Sequence, residues 1–410
     1  MTRPTQCAIL CGGLGTRLGA LTEAMPKPLL PVAGMPFLDL LLSELGRQGF
    51  RRILLLARFE AEKIATFIKT STARIKFDLD VTMSIEPENA GTGGALWHAR
   101  DRLDEIFYLL NGDTWFDIPL RALETVAAMD GADGCVMALR PTSDTSRYGV
   151  VGLDGSRITA LAAPQAADAP ALINGGVYRL ARSLVDVASG SCSLEQDVLP
   201  QAITSGRLRG RSFAGHYFID IGVPASYAAA QFEIPAQRCK PAVFLDRDGV
   251  LNVDHGHVGQ VDRLELVAGA GEAVAWLNEQ GYYVFVVTNQ AGIAKGLYSE
   301  ADYQAVMTVL GDRLAEAGGH LDDARHCPFH PDAIYSAYRV ADHPWRKPRP
   351  GMLLDLMANW PIDRARSVMI GDQPSDVAAG EAAGVRAVQF TGGDLASFIR
   401  SHVESLRKAD

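Results

Sequence analysis

Residues 7–17 read CAILCGGLGTR, and this stretch decides the fold of the first half of the chain. A short apolar run, Cys7–Cys11, leads directly into a turn that contains three glycines, which is typical of a buried parallel strand ending at one edge of a sheet. Glycine-rich turns let backbone N–H groups approach phosphate oxygens closely. No Gly-Lys-Ser/Thr follows, so this is not a Walker A loop. Two interpretations of this turn remain at this point: a tight strand-to-helix connection and a phosphate-binding loop.

Strand-like and helix-like segments alternate along the rest of the chain. Phe37–Gln48 has helical apolar spacing, and Ile53–Ala57 and Phe107–Leu110 have the composition of buried strands. The alternation restarts at Ala242–Leu245, which is followed by predicted strands at Tyr283–Val287, Ser367–Ile370 and Ala387–Phe390. The pattern predicts an α/β fold with parallel sheets covered by helices.

The length of 410 residues favours two domains at about 150 residues per domain. Phe232–Lys240 has mixed character and contains Pro235, so we expect a short connection there. The expected domains are 1–236 and 237–410, and each is long enough to bury its own core.

Charge and cysteine usage limit the classes of partner. The net charge is −9 and no run of Lys and Arg occurs, which argues against nucleic-acid binding. No apolar run approaches the roughly 20 residues that span a bilayer, and the N-terminal apolar stretch ends at Gly12, too early for a secretory signal. The six cysteines form no Cys-x-x-Cys. We expect a cytoplasmic protein with free thiols that acts on small molecules, without nucleic acid or membrane; a homo-oligomer is compatible with the sequence.

Two cations and two carboxylates accompany the glycine-rich turn. Arg17 follows it closely, and Lys27 lies between two prolines that stiffen its backbone. Fixed cations beside a glycine-rich turn suit a triphosphate. Asp113 and Asp220 each end a strand-like run, and two carboxylates at strand ends can hold Mg²⁺. For either aspartate taken alone, a turn or capping role is the simpler interpretation.

Together these segments resemble the sugar-1-phosphate nucleotidyltransferases over Cys7–Gln231, which implies a Rossmann-like nucleotidyltransferase sheet. The motifs that carry the resemblance are GGLGTR at 12–17, PKPLLP at 26–31, GTGGA at 91–95, LNGD at 110–113, NGGVY at 174–178, EQD at 195–197 and FIDIG at 218–222. Several of them are similar to the branch that joins GTP to D-glycero-α-D-manno-heptose 1-phosphate.

This resemblance implies a role for each matching position. The implied roles are triphosphate binding by Gly12, Gly13, Arg17 and Lys27, a place near the nucleotide base for Glu86 and Gly91, Mg²⁺ binding by Asp113 and Asp220, and sugar contact by Asn174 and Glu195. Many relatives also carry a Glu-Lys pair whose lysine binds the sugar phosphate, whereas residues 161–164 here read LAAP. The anchor for the sugar phosphate is therefore unassigned, and a nearby arginine is a candidate.

A second group of candidate catalytic residues begins within residues 244–251, which read FLDRDGVL. Asp246 and Asp248 follow a buried strand two residues apart and would face one side, where a divalent cation can offset their repulsion. One can attack phosphorus to form an aspartyl phosphate while the other handles the leaving-group proton. An Asx-turn is the alternative for this motif in isolation. Thr288, Lys347 and Asp372 argue against it, because they supply the hydroxyl, cation and further acid that phosphoryl transfer needs.

Ala242–Phe390 resembles the haloacid-dehalogenase-like phosphatases, with all four motifs in order, which implies a Rossmannoid domain. Within that family it is similar to the phosphatases of D-glycero-D-manno-heptose 1,7-bisphosphate and of histidinol phosphate. The motifs NVDHG at 252–256, TNQAGIA at 288–294 and RKPRPGM at 346–352 favour the heptose enzymes. The implied roles are nucleophile for Asp246, general acid/base for Asp248, phosphate binding by Thr288 and Lys347, substrate contact by Asn289 and Arg346, and Mg²⁺ binding by Asp246, Asp248 and Asp372.

Relatives also carry a zinc loop, Cys-x-His followed by Cys-x-Cys just before Arg-Lys-Pro. Here the loop reads HCPFHP at 326–331 and HPWRK at 343–347, so Phe329 and Trp345 occupy two expected ligand positions. Tetrahedral zinc needs four N or S ligands. We therefore expect a packed loop with aromatic residues in place of zinc. The alternative is a site improvised from Cys327 with His326, His330 and His343.

The two resemblances fit one another, because a 7-phosphatase makes a heptose 1-phosphate and a guanylyltransferase consumes it. The predicted function is a bifunctional enzyme that removes the C7 phosphate and then transfers GMP from GTP, releasing pyrophosphate, with Mg²⁺ at both sites. One alternative keeps both activities on another sugar phosphate, of the mannose or N-acetylmuramate type, with another nucleotide. A second alternative is a nucleotide-sugar sensor without turnover, against which the intact acids argue.

Overall fold

The computed structural model describes residues 5–128, 134–143, 145, 148–162, 170–186 and 188–407, with side chains as far as residue 403 in the last helix. The chain divides into two compact units, Met1–Gln237 and Arg238–Asp410. Ala163 and Pro164, in the stretch that departs from the family's lysine, lie outside the described residues.

The N-terminal unit is built on a mixed sheet with helices on both faces. Its strands are β1 Gln6–Leu10, β2 Pro31–Val32, β3 Met35–Pro36, β4 Arg52–Ala57, β5 Asp80–Ile85, β6 Ile106–Asn111, β7 Thr114–Phe116, β8 Cys135–Thr142, β9 Val150–Asp154, β10 Arg157–Ala162, β11 Ala171–Ala181, β12 Leu208–Ser212 and β13 Phe218–Asp220. Its α-helices are α1 Phe37–Arg47, α2 Ala61–Thr70, α3 Thr72–Lys76, α4 Gly91–Ala99, α5 Ala122–Ala127, α6 Arg182–Val185, α7 Leu199–Thr204 and α8 Pro224–Arg238. Short 3₁₀ segments cover Thr16–Thr22, Lys27–Leu29 and Arg100–Arg102, and a π-helical turn covers Leu194–Val198.

The main sheet has the strand order β5-β4-β1-β6-β11-β8-β12-β10-β9. β1 lies between β4 and β6 and is parallel to both, so the glycine-rich turn after β1 and Asp113 after β6 emerge at the same edge. Gly112 makes this possible, because its N–H donates to Leu10 O at 3.0 Å and a Cβ there would overlap that carbonyl.

The C-terminal unit has a parallel sheet of order β16-β15-β14-β17-β18. Its strands are β14 Lys240–Leu245, β15 Tyr283–Asn289, β16 Asp323–Cys327, β17 Ile362–Gly371 and β18 Arg386–Gln389. Its helices are α9 Ala270–Glu279, α10 Ala291–Ala294, α11 Glu300–Glu316, α12 Gly351–Asn359, α13 Pro374–Ala383 and α14 Leu395–Arg407, with 3₁₀ turns at Val261–Arg263 and Ser336–Tyr338. Because the strands are parallel, Asp246, Thr288 and Asp372 reach one edge of the sheet.

The predicted α/β class is confirmed, and one local expectation is wrong. Phe232–Lys240 is not a mixed connection, because α8 continues through Pro235 to Arg238 and β14 begins at Lys240. A proline inside a helix costs one backbone hydrogen bond. The helix face that carries Ala230 and Ile234 is completely buried, and this packing offsets the loss.

Over the part of the chain that the structure describes, none of the helices combines the length and the apolar character that crossing a bilayer requires.

Candidate active sites

Arg17, Lys27, Asp113 and Asp220 converge beside Gly222 in the N-terminal unit. Lys27 is almost fully buried, and its Nζ forms an ion pair with Asp113 Oδ2. Asp220 Oδ1 and Lys27 Nζ lie 2.6 and 3.0 Å from the position that a Cβ would take at Gly222. A guanidinium nitrogen of Arg17 lies 3.3 Å from the same position. A glycine at this point therefore leaves room for two cations and a carboxylate to approach one another.

Strand pairing brings the two predicted magnesium ligands together. β13 pairs with β7 so that Asp220 lies opposite Thr114, and the Ile221 N–H donates to Asp113 O at 2.9 Å. The Tyr148 hydroxyl donates to Asp220 Oδ2. Carboxylate oxygens are the ligands that Mg²⁺ takes in phosphate-handling sites, so this donor set fits the ion.

Glu86 lies under the glycine-rich turn. A Cβ on Gly12 would overlap the Glu86 carboxylate, so only glycine allows the turn to pass this side chain. Burial raises the pKa of Glu86, against the opposing charge of Arg58. Nothing lies within 4 Å of the position that a Cβ would take at Gly13, and Gly13 is exposed. The glycine-rich turn and Glu86 are therefore in direct contact through Gly12.

Asn174 and Glu195, the predicted sugar contacts, each have a polar side-chain partner. Gly91 starts α4 at a φ of +71°, and the Thr92 hydroxyl next to it donates to Glu195 Oε2 at 3.1 Å. Asn174 Nδ2 donates to the Tyr178 hydroxyl at 2.5 Å. Burial, and then the Glu195 carboxylate, raise the pKa of the Tyr178 hydroxyl, which keeps this group neutral. Neutral and anionic oxygens of this kind can bind sugar hydroxyls.

Lys347 is the centre of the C-terminal site. Its Nζ lies 2.8 Å from Asp246 Oδ2 and 2.7 Å from Asp376 Oδ1, and it donates to Val287 O at 2.9 Å. Burial alone would lower its pKa, but the two carboxylates hold the pKa above its ordinary value, so the ammonium persists. Burial raises the pKa of Asp246 to about 7, an effect that Lys347 opposes and Asp376 reinforces.

Three carboxylates form a cluster that fits a divalent cation. One oxygen each of Asp246, Asp372 and Asp376 lies within 4.8 Å of the others. Asp372 Oδ1 is buried and has no hydrogen-bond partner among the described residues. Gly249, at a φ of +81°, is required here, because a Cβ would lie 2.5 Å from Asp372 Oδ2. A buried, unpaired carboxylate oxygen facing two further carboxylates is suited to Mg²⁺.

The Gln290 side chain forms hydrogen bonds with both Asp248 and Thr288. Gln290 Nε2 donates to Asp248 Oδ2 and to Thr288 Oγ1, both at 2.9 Å. Arg247 donates to both oxygens of Asp248 at 2.9 Å, and Asn252 Nδ2 donates to Oδ1 at 3.0 Å. The Asp248 carboxylate is therefore held by neighbours on several sides.

These groups open into a cavity of about 390 Å³, which is large enough for a phosphorylated sugar. Its lining includes the acidic residues Asp246 and Asp372 and the basic residues Arg346 and Lys295.

Comparison with known proteins identifies both units. Residues 7–237 match the profile described as nucleotidyl transferase, and residues 344–398 match the one described as HAD-hydrolase-like. The chain belongs to the nucleotidyl transferase family. Its N-terminal unit is 34% identical over 223 residues to the D-glycero-alpha-D-manno-heptose 1-phosphate guanylyltransferase of Campylobacter jejuni, covering 54% of this chain and 96% of that protein. The C-terminal, HAD-like unit is 45% identical over 171 residues to the D-glycero-beta-D-manno-heptose-1,7-bisphosphate 7-phosphatase of Rhodopseudomonas palustris, covering 42% of this chain and 94% of that protein.

A solved relative matches the nucleotidyl transferase unit in three dimensions. HddC from Yersinia pseudotuberculosis is 29% identical with a TM-score of 0.50, covering 56% of this chain and 99% of that one. Its complex with GMP-PN matches at 28% identity with the same TM-score. The resemblance of both units to these families, inferred from the motifs, is thereby confirmed.

Two predicted residues of the HAD-like unit have contacts that their implied roles did not include. The carboxylate cluster consists of Asp246, Asp372 and Asp376, and Mg²⁺ binding by Asp248 stays a prediction. Asn289 lines the cavity, but its amide donates to Lys347 O and accepts from Lys347 N, both at 3.1 Å. Asn289 therefore fixes the backbone of Lys347, and its role in substrate contact stays a prediction.

Aromatic residues fill the loop in which relatives carry zinc. The Phe329 ring stacks on the His343 imidazole with centroids 3.9 Å apart. Cys327 Sγ lies 4.0 Å from His343 Nδ1, and that nitrogen also accepts from the Trp345 N–H at 3.2 Å. At the positions where the resemblance implied zinc ligands, Cys327 and His343 retain ligand atoms, whereas Phe329 and Trp345 supply none. The absence of zinc stays a prediction.

Sequence reasoning gave no site role to Asp376, Gln290 or Tyr148. The sequence did contain a sign of a role for Asp376, because this second carboxylate follows Asp372 by four residues, at the start of α13. Gln290 and Tyr148 carried none, since a glutamine two residues after Thr288 and a tyrosine far from Asp220 in sequence become partners only through folding.

Proposed function

We propose that the chain is a bifunctional enzyme of GDP-heptose formation. The C-terminal unit removes the C7 phosphate of D-glycero-D-manno-heptose 1,7-bisphosphate, and the N-terminal unit transfers GMP from GTP to the resulting heptose 1-phosphate. The observation that carries the proposal is that each unit matches nearly the whole of a relative whose named reaction supplies or consumes a heptose 1-phosphate. The solved complex of HddC with GMP-PN supports a guanine nucleotide. We place the reaction in the cytoplasm, in keeping with six free cysteines.

The phosphatase reaction assigns one role to each group of the C-terminal site. Asp246 attacks the C7 phosphorus and forms an aspartyl phosphate, while the sugar oxygen leaves with a proton from Asp248. Water then attacks the phosphorus and gives its proton to Asp248, which releases inorganic phosphate and regenerates Asp246. Lys347 and the Thr288 hydroxyl hold the phosphoryl oxygens. Asp246, Asp372 and Asp376 would hold Mg²⁺, which would supply further charge neutralisation.

The transferase reaction uses the cations of the N-terminal site. The heptose 1-phosphate oxygen attacks the α-phosphorus of GTP, and pyrophosphate leaves. Arg17 and Lys27 neutralise charge on the triphosphate, and the glycine-rich turn donates backbone N–H groups to it. Asp113 and Asp220 would hold Mg²⁺. Asn174 and Glu195 orient the sugar.

The two named relatives differ in the anomer of their substrate, β for the phosphatase and α for the guanylyltransferase. Hydrolysis at C7 leaves C1 unchanged, so consecutive reactions in one chain require the same anomer at both sites. One unit is therefore expected to differ from its relative in anomer preference.

The test uses the purified chain with Mg²⁺ and each anomer of the bisphosphate and of the 1-phosphate. Phosphate release from the bisphosphate and pyrophosphate release with GTP, for one shared anomer, are the expected results. A panel of four nucleotides with mannose and N-acetylmuramate phosphates provides the comparison. Preference for another sugar or nucleotide would overturn the heptose assignment, and binding without turnover would favour a sensor.

A further inference from the structure

Gln290 lies between two reacting groups of the phosphatase site. It follows β15 directly and is 1% exposed. A side-chain amide nitrogen carries two hydrogens. One of them is donated to Asp248 Oδ2 and the other to Thr288 Oγ1, so a single nitrogen connects the predicted general acid/base to the predicted phosphate-binding hydroxyl.

Tyr298 fixes which way the Gln290 amide points. The Tyr298 hydroxyl donates to Gln290 Oε1 at 2.7 Å. Burial raises the pKa of Tyr298 to about 12, so the hydroxyl remains a donor at neutral pH. The Tyr298 ring packs against Gly259 and Gly292, where a Cβ would overlap it. A flipped amide would turn Oε1 towards the Asp248 carboxylate and lose its donated bonds.

This orientation determines what Thr288 and Asp248 can do. Because Thr288 Oγ1 accepts a hydrogen bond from Gln290, its own hydrogen is left for a phosphoryl oxygen. Arg247 and Asn252 donate to Asp248 from other directions, and Gln290 adds a donor to Oδ2 that restrains the rotation of the carboxylate. The carboxylate can then present one geometry to the leaving oxygen and to the attacking water.

We infer that Gln290 is a positioning residue of the phosphatase, which acts through Asp248 and Thr288 rather than on the substrate. The inference rests on the proposed function of this site. In the first step the bond between phosphorus and the sugar oxygen breaks as the Asp246–phosphorus bond forms, and Asp248 gives its proton to the sugar oxygen. In the second step Asp248 takes a proton from water as the Asp246–phosphorus bond breaks. A misaligned Asp248 slows both proton transfers without an equal loss of substrate binding.

The first test compares Gln290→Leu with Gln304→Leu in the full chain. Gln304 is exposed on α11, so it provides a matched control. For hydrolysis of the bisphosphate, Gln290→Leu should lower kcat on the order of 10²-fold with KM changed by no more than about threefold. Guanylyl transfer and the melting temperature should stay at the values of the control. A fall in kcat below about threefold, or a loss expressed mainly in KM or in melting temperature, would overturn the inference.

The second test is a double-mutant cycle with Asp248→Asn. If Gln290 acts mainly through Asp248, adding Gln290→Leu to Asp248→Asn should cost less than about threefold. An equal loss in both backgrounds would show that Gln290 does not act through Asp248 and would overturn that part of the inference. Tyr298→Phe removes the donor to Gln290 Oε1 and should lower kcat by about three- to tenfold. If the wild-type chain hydrolyses another sugar phosphate and not the heptose bisphosphate, the proposed function fails, and the same variants on that substrate still test Gln290.

Discussion

At the residue scale, buried lysines organise the charge of both sites. Lys27 contacts the Asp113 carboxylate, and Lys347 bridges Asp246 and Asp376. A buried charge is tolerated only when it is paired and hydrogen-bonded. Each lysine is therefore held where a phosphate would arrive, and each restrains the acids beside it.

Lys27→Ala should reduce guanylyl transfer on the order of 10²-fold or more, because a fixed cation stabilises charge that develops on the triphosphate. Phosphatase activity of the same chain should not change. Lys69→Ala, at an exposed position near the end of α2, is the control. The measurement is the rate of pyrophosphate release. A rate for Lys27→Ala within a few-fold of the wild-type rate would contradict the assignment of this loop to the triphosphate.

Gly249→Ala should damage the phosphatase site because the new Cβ would lie 2.5 Å from Asp372 Oδ2. Gly281 has the same φ of +81° with nothing within 4 Å of its Cβ position, so Gly281→Ala shares the backbone strain without the overlap. We expect a loss of phosphatase activity of at least about tenfold for Gly249→Ala relative to Gly281→Ala. Equal phosphatase rates in the two variants would show that the close contact between residue 249 and the Asp372 carboxylate does not matter for this activity.

At the element scale, the segment from Cys327 to Lys347 carries Arg346 and Lys347, which we propose to act in the phosphatase site, on a loop with aromatic packing. The Phe329–His343 stack joins the start of this segment to its end, and the Arg346 guanidinium donates to Phe329 O at 3.2 Å. Asn289 at the end of β15 fixes the Lys347 backbone. Packing and hydrogen bonds thus hold the ends of this loop together.

The purified protein should hold less than about one zinc per chain and keep its melting temperature in chelator, because two ligands make a weak site. Elemental analysis and thermal melts measure both. The double variant Phe329→His with Trp345→Cys restores four ligands and should gain zinc. Stoichiometric zinc in the wild-type chain, with melting on chelation, would contradict the prediction.

At the scale of the whole molecule, two chemistries lie in separate units of one chain. Asp246 belongs to Arg238–Asp410 and Asp113 to Met1–Gln237. Each reaction draws its acids and cations from its own unit, so the two activities should be separable by single substitutions.

Asp246→Asn should abolish phosphate release and leave guanylyl transfer to supplied heptose 1-phosphate intact, because an amide cannot form the aspartyl phosphate. Asp113→Asn should do the reverse, since it weakens metal binding. A mixture of the two variants should convert bisphosphate to GDP-heptose through free intermediate. If either substitution abolishes both activities in a folded protein, the two sites are not independent.

The sequence by itself determined the α/β class, both families and the positions of the main acids and cations. Those features depend on local order along the chain: an apolar strand must precede Asp246, and Lys27 must follow the glycine-rich turn. Strand ends in a parallel sheet meet at one edge, so a list of strand-terminal residues already approximates a site.

Only the tertiary structure decided which side chains share a partner. Asp376 enters the carboxylate cluster because the first turn of α13 points it at Lys347, and Asp248 is drawn into a separate network by Arg247 and Gln290. Gly222 is a glycine because Lys27 and Arg17, far from it in sequence, approach it, and Gly249 is one because the distant Asp372 carboxylate does. The continuation of α8 through Pro235 likewise depends on burial of the helix face. Such contacts depend on side-chain direction and on packing between segments far apart in sequence, which local patterns do not encode.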